Sequence, residues 1–426
     1  MKRTLLAGLV IGAVVALGLT LGCRPAAVET VTVETIAPAE PDAGPVAAVP
    51  ADDLKALVEA NNHFAIELYK KLAETEKGNI FFSPYSIHAA LSMTYAGARG
   101  ETAAQMAKVL GIEKLGDRVH PAHAELARKL KSDGGKDKPE FNVANALWGQ
   151  KDLGFRPEFL DLTKRHYGAG LRELDFVSDA EGPQRSINEW ISNATRGKIP
   201  KLFEQSLPSN TRLVLTNASY FNGKWAKPFD KLRTHKKEFH EESGLTSEVQ
   251  MMNSSTEQFA YGLDGDVQIV RLPYSGATHG LVVFLPKLGE LPKLRKALTA
   301  ERFQKNLGQL AFQEGTISLP KVEIRNHLAI KTILMALGML SAFDQGADFR
   351  GLNNAPLHLN VVQQSSFLSI SETETVAVAA TGVEGLDGTH RLPFTVMVDR
   401  PFLFSIVELD TGFIQYLGEV RIALAR

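Results

Sequence analysis

The sequence predicts an α+β protein folded as one large domain. Three observations lead there: helical apolar spacing dominates the first half, strand-like runs dominate the second, and neither even strand–helix alternation nor an internal repeat occurs. With 426 residues, 44% of them hydrophobic and 22% charged, the chain has material for a large core. A formal net charge of −1 is too balanced for a nucleic-acid binder, and the composition is too apolar for disorder. The single cysteine, Cys23, excludes a disulfide framework and a cysteine-based metal site.

The N-terminus reads as a targeting segment. Lys2 and Arg3 precede an apolar, small-residue run over 4–22, and Cys23 follows directly. This resembles a bacterial lipoprotein signal, which would be cleaved before Cys23 and lipidated on its thiol, giving a membrane-anchored envelope protein exposed on the periplasmic or extracellular side. Plain secretion and an uncleaved anchor are the alternatives. Residues 23–51, rich in Pro, Ala, Val and Glu, read as a semi-extended tether, and 52–426 as the folded body.

Within the body, Leu54, Leu57, Val58, Asn61, Phe64, Leu68, Tyr69 and Leu72 keep helical spacing, with Asp52 or Asp53 as cap. Ser83 before Pro84 starts a second helix, apolar on nearly all sides and therefore buried, which Gly97 and Gly100 end. A third helix over 102–110 closes at Gly111. The polar stretch 131–140 is a surface loop, 141–149 a strand, 157–167 and 183–194 helices, and 212–225 a strand buried on both faces. Short strands are expected around Val249, Ile269, 281–285 and 316–324. A helix over 328–339 follows, then strands over 357–370, 394–407 and 413–421.

The stretch 371–392 stands apart. Thr375, Ala377, Ala379 and Thr381 share one face of an extended chain, and Val376, Val378 and Ala380 the other. These residues are small or β-branched, so the segment is able to enter a crowded sheet. Its continuation, GVEGLDGTH, has no apolar period and is expected to be solvated. An ordinary long hairpin and a loop with a function of its own fit this pattern about equally, since about twenty structureless residues are rare in a compact domain unless the loop has a job.

No G-x-S-x-G, G-x-G-x-x-G, P-loop, H-E-x-x-H or C-x-x-C motif occurs, and nothing joins a nucleophile, a base and an orienting acid. No enzyme, cofactor or metal site is therefore expected. His120 and His123 form the closest histidine pair, expected to be solvated on a surface helix rather than to bind a metal. The basic clusters Arg128, Lys129, Lys131 and Lys231, Arg233, Lys236, Lys237 read as solvated surface rather than a polyanion site.

From about residue 52 to 425 the chain resembles the serpin family. The stretches that carry the resemblance are NIFFSPYSIHAALSMTYAGARGET (79–102), NVANALWGQ (142–150), INEWISNATRGKI (187–199), LVLTNASYFNGKWAKPF (213–229), LPY (272–274), GLVVFLP (280–286), ISLPKVEI (317–324), LMALGMLSAF (334–343), DRPFLFSI (399–406) and FIQYLGEV (413–420), all in the family's order. The resemblance implies three β-sheets, about nine helices and an exposed reactive loop, here 371–392. It also implies a monomer that inhibits a serine, sometimes a cysteine, protease as a suicide substrate. The protease cuts the loop and is held as an acyl-enzyme while the freed loop inserts into the largest sheet.

Residue by residue, Glu372 matches the family's hinge glutamate, Thr375 the first inserting residue, Ala377, Val378, Ala379 and Ala380 the alanine run, and Thr381 the threonine after it. Inhibitors usually carry glycine where Glu374 stands, which leaves a non-inhibitory serpin, a binding or structural protein or a simple substrate, as the alternative. Sixteen residues beyond Glu372, the family's usual interval, the scissile bond falls at Gly388–Thr389, with Leu386–Asp387 and Arg391–Leu392 as other candidates. Ser83, Ser86 and Asn217 match a polar cluster beneath the point where the large sheet opens, with Gln364 where the family often has histidine. Ser83 also reads simply as a helix cap. Trp225 matches the tryptophan where the loop first enters, and reads equally as a core aromatic.

Overall fold

The computed structural model describes residues 48–130, 139–168, 170–372 and 392–422. The predicted signal segment and Cys23 lie outside the described residues, as do Glu374 and the rest of the loop through Arg391.

The chain opens with α1 (Ala51–Thr75), β1 (Ile80–Phe82), α2 (Pro84–Tyr95), α3 (Gly100–Leu110) and α4 (Val119–Leu130). Next come β2 (Glu140–Gln150), α5 (Pro157–Tyr167), β3 (Leu171–Leu174), α6 (Gly182–Ala194) and β4 (Leu213–Asn222). A run of strands follows: β5 (His235–His240), β6 (Thr246–Asn253), β7 (Glu257–Asp264), β8 (Val267–Pro273) and β9 (His279–Leu285). Then come α7 (Leu291–Ala297), α8 (Ala300–Gly308), β10 (Ala311–Pro320), β11 (Val322–Ala329), α9 (Lys331–Ala336) and β12 (Val361–Ile370). β13 (Phe394–Met397), β14 (Phe402–Glu408) and β15 (Ile414–Val420) complete it. The α+β class and a count of nine helices among the described residues match expectation.

Local chemistry explains the best-placed boundaries. Ser83 caps α2 by accepting from the Ser86 amide, and Pro84 takes the first helical position, where no amide donor is needed. Gly111 ends α3 at φ 70°, a left-handed conformation open to glycine. Other expectations fail. Neither Asp52 nor Asp53 caps α1; Pro50 precedes the first turn and Asp53 instead pairs with Arg118. The expected strand over 316–324 is two strands divided at Lys321, and 394–407 divides between β13 and β14 before Pro401, which has no amide hydrogen for a ladder. The expected helix over 328–339 shrinks to α9, because Leu328 still pairs with Gln364 in a sheet.

Among the described residues the strands fall into two sheets, one of them long enough to run through more than one of the three that the resemblance implies. Ten strands make one curled ladder, ordered β1-β15-β14-β9-β8-β7-β10-β6-β5 with β13 on β10; five make the other, ordered β11-β12-β4-β2-β3. In the five-stranded sheet β12 and β4 are parallel neighbours, paired from Val361↔Val214 to Leu368↔Phe221. One core cluster gathers the helices α1 to α4 against the sheets, and another, including Ile187, Ile191 and Phe176, fills the space between α6 and the five-stranded sheet.

His120 and His123 are not on an exposed face, as the sequence suggested; each is 2% exposed. They join His88 of α2 between the helices. His88 Nδ1 lies 3.0 Å from His123 Nε2, His88 Nε2 meets the Leu110 carbonyl at 2.9 Å, and His120 Nδ1 lies 2.7 Å from the Tyr167 hydroxyl. Burial pushes His88 and His120 down to about 4, and burial together with its histidine neighbours pushes His123 well down too. Among the described residues, no group of three or more histidine, cysteine or carboxylate side chains is placed to hold a metal ion.

These histidines fold neutral and protonate near 6.5 in the unfolded chain, so their contribution to stability is complete above about pH 6.5 and is lost as the pH falls toward 4. A melting midpoint followed from pH 7.5 to 4.5 should begin to fall near pH 6.5, before carboxylates titrate. His123→Gln should flatten that part of the curve. A wild-type midpoint level down to pH 5 would contradict the assignment.

Candidate functional site

The described chain leaves β12 at Ile370 and, after residues 373–391, resumes at Leu392. Both ends are anchored. On the first side, Trp225 donates its indole Nε1 to the Ser371 carbonyl at 2.8 Å. The indole is itself fixed, stacked on Tyr274 with centroids 4.7 Å apart and edge-on to Phe229 at 5.9 Å. Glu372 is 5% exposed and pairs with Lys321 Nζ at 2.7 Å. Lys321 is the residue between β10 and β11, so one ion pair ties the end of β12 to the junction of the two sheets. Burial alone would raise the Glu372 pKa; Lys321 and a backbone hydrogen bond outweigh it and hold the carboxyl below its usual value.

On the other side, Leu392 is 88% exposed and its carbonyl accepts from Gln313 Nε2 at 3.2 Å. Phe394 then stacks on Tyr261, centroids 4.1 Å apart, in a slot that exists because residue 315 is glycine; a Cβ there would sit 2.5 Å from the Phe394 ring.

Beneath the five-stranded sheet a row of amides crosses the three central strands. Asn145 of β2, Asn217 of β4 and Gln364 of β12 are register partners. Asn217 donates to Asn145 Oδ1, and Gln364 Nε2 donates to Asn217 Oδ1 at 2.6 Å and to the Ser83 carbonyl at 3.2 Å. The Ser83 hydroxyl donates to the Gln415 carbonyl at 2.9 Å and lies 2.9 Å from that of Ser86. Ser83 thus caps α2 and joins the cluster as well. All five side chains of the sequence-derived set except Trp225 meet here: Ser83, Ser86, Asn217 and Gln364 are buried, while Trp225 sits at the loop's base. Asn145 escaped the sequence reading. Its signal was a polar residue in the middle of a mostly apolar strand, NVANALW, two positions from Val143 on the same face.

Among the described residues the site contains hydrogen bonds, packed aromatics and a hinge ion pair that together close a sheet. Of the basic clusters, Arg128 pairs with Glu125 and Lys236 with Glu248 at 2.6 Å.

Comparison with known proteins gives a consistent picture. A family model described as Serpin (serine protease inhibitor) matches residues 59–422. Serpin B6 of Macaca fascicularis is 36% identical over 370 residues, covering 85% of this chain and 98% of its own. Iripin-2 of Ixodes ricinus is 33% identical over 371 residues, covering 86% and 93%. A serpin-like protein of Thermococcus kodakarensis is 35% identical over 370 residues, covering 86% and 85%. Among solved structures, mouse protein-Z dependent protease inhibitor superposes with a TM-score of 0.78 at 25% identity, over 88% of this chain and 99% of that one.

Lys321→Met should leave the Glu372 carboxylate buried without its cation. The expected cost is about 1–3 kcal/mol, toward the lower end because the Lys321 side chain is 39% exposed. Adding Glu372→Gln should recover most of it, since a neutral amide is cheaper to bury. Denaturant unfolding of the two variants measures both; a double variant no more stable than the single one would refute the ion pair's role.

Proposed function

Because the chain belongs to the serpin family, the serine protease inhibitors, we propose that it traps its protease as a suicide substrate, with residues 373–391 as bait. One observation carries this reading. β4 and β12 are parallel neighbours, and the chain leaves β12 directly into the proposed bait. A segment returning between them would run antiparallel to both, gaining ladder bonds on two sides in the arrangement that is slightly more stable per residue. The closed sheet is then a state with a better-paired alternative, reached when the loop is cut.

That geometry supports a definite sequence of events. A protease serine, or a cysteine in a cysteine protease, attacks the carbonyl carbon of the scissile residue and expels the amine of the next, leaving an ester or thioester to the bait. Thr375, Ala377, Ala379 and Thr381 turn one small face inward as the freed strand enters past Trp225, and Glu374, on the opposite parity, faces out. Gly388–Thr389 is the favoured bond, with Leu386–Asp387 and Arg391–Leu392 as the others. Glu374, where inhibitors usually have glycine, favours the second reading: a serpin that is cut without trapping. Anchorage of the body through lipidated Cys23 at a cell envelope is part of the same proposal. No helix among the described residues is long and apolar enough to cross a membrane, so the described residues supply no span of their own.

Residues 48–426 incubated with trypsin-, chymotrypsin-, elastase- and subtilisin-like proteases should give a covalent band at the summed mass on a denaturing gel. Mass spectrometry of the C-terminal fragment then fixes the scissile bond. Glu374→Gly should speed trapping. Clean loop cleavage with full protease activity remaining would sink the inhibitor reading. For the anchor, the full chain made in a bacterial host should partition with membranes, and Cys23→Ser should release it to the soluble fraction; a variant that stays membrane-bound contradicts lipidation.

A further inference from the structure

The seam between β4 and β12 is clasped on its other face by cations. Tyr220 and Phe367 are register partners across it, three residues along from Asn217 and Gln364 and therefore on the opposite side of the sheet. Their rings are 5.8 Å apart and 29° from parallel, and both residues are buried. The ammonium of Lys198 lies 5.9 Å from each ring centroid. One more strand along, Arg325 of β11 is the register partner of Phe367, and its guanidinium sits 4.3 Å from that ring. Arg325 also donates Nη1 to the Lys198 carbonyl at 2.9 Å, and Glu323 accepts from its Nε and Nη2.

The backbone at Lys198 is tied in place by hydrogen bonds. It follows a tight turn through Arg196 (φ 51°) and Gly197 (φ 75°) at the end of α6. Thr195 holds that turn, accepting from the Ile199 amide at 3.1 Å and donating to the Ile191 carbonyl at 2.8 Å, while Ile199 is buried under the sheet's outer cluster. The cation therefore belongs to the α6 connection and bridges two strands that belong to the sheet.

We propose that Lys198 and Arg325, resting on Tyr220 and Phe367, form a latch that sets how fast the seam opens to admit a strand. The proposal rests on the loop-insertion reading above and names the regulation of that same site. Neighbouring strands lie about 4.8 Å apart, so an inserted strand roughly doubles the separation of Tyr220 from Phe367. A single ammonium held by the α6 turn is unable to stay over both rings at that spacing. Arg325, bonded to the Lys198 backbone, is pulled from the same turn as β11 and β12 shift together. Opening therefore breaks the shared contact before the new ladder bonds form, and its loss raises the barrier.

The test measures opening without any protease. A synthetic peptide of residues 373–385 is incubated with the full-length protein, and its annealing is followed over time by native gel shift. Lys198→Met, which keeps length and loses charge, should speed annealing about three- to fivefold, and Lys198→Met with Arg325→Met about tenfold or more. Lys198→Arg should stay near the wild-type rate. A Lys198→Met protein with a lower melting midpoint but an unchanged annealing rate would show ordinary packing and overturn the latch, as would failure of every form to take up peptide. Annealing that responds as expected, with no covalent protease complex formed, supports the latch and defeats the inhibitor reading alone.

Discussion

A parallel pair of buried strands, β4 and β12, that touch each other without an intervening strand is the constraint on which the rest of the structure depends. Parallel strands need both faces covered, and this pair is covered by α2 below and by α6 above. That requirement explains why α2 is buried almost all round and β4 is buried on both faces. It also explains the amides at the centre. A seam closed only by aliphatic side chains would be cheap to separate in polar terms and would fix no register. Asn145, Asn217 and Gln364 hydrogen-bond only in the observed alignment, and a buried amide left unpaired is costly. The row thus fixes register while the sheet remains closed.

The hinge follows a different rule. Glu372 is a charge in a buried place, acceptable because Lys321 answers it at the end of β12. A deeper example lies at the C-terminal strand. Glu419, fully buried, is held bidentately by Arg295 and also by Arg421 and Tyr69, which ties β15 to α1 and α7. The contrast is instructive. The Glu419 set has carboxylate and guanidinium partners on several sides and sits where nothing in the proposed mechanism moves. Glu372 has one flexible, partly exposed lysine and sits where the loop begins. Strong multivalent pairing is placed on the permanent frame, and a single exchangeable pair on the part proposed to rearrange.

How much of this was legible in the sequence depends on whether local or distant neighbours decide. Ser83–Pro84 and Gly111 are local devices, and the helices they bound fall close to expectation. The division at Lys321 was hidden because the run 316–324 is continuously strand-like; what splits it is membership of two different sheets, a distant fact. Leu328 carries helical spacing into α9 yet is recruited by β12 as a register partner. His120 and His123 looked solvated because histidine is polar, but distant residues supply their buried hydrogen-bonding neighbours: His88 for His123 and Tyr167 for His120. The polar cluster was visible through family resemblance, except Asn145, whose role appears only when three strands are aligned. Lys198, in the same way, reads as one more surface lysine until the turn after α6 is seen against the seam.

The two faces of the seam differ in a way that bears on rate. The lower face is an amide row: directional, buried, and lost steeply once donor and acceptor separate. The upper face is a cation shared between rings, an attraction that falls off gradually and tolerates sideways motion. Because α6 and its turn cover the upper face, a strand entering from the Trp225 end meets the lower and upper clasps at different depths: Phe367 and Tyr220 lie nearer Ser371 along β12 and β4 than do Gln364 and Asn217. An entering segment would therefore meet the cation clasp first and the amides second. Under the insertion reading, this order lets the soft contact meter entry while the directional one protects the closed register until entry is well advanced.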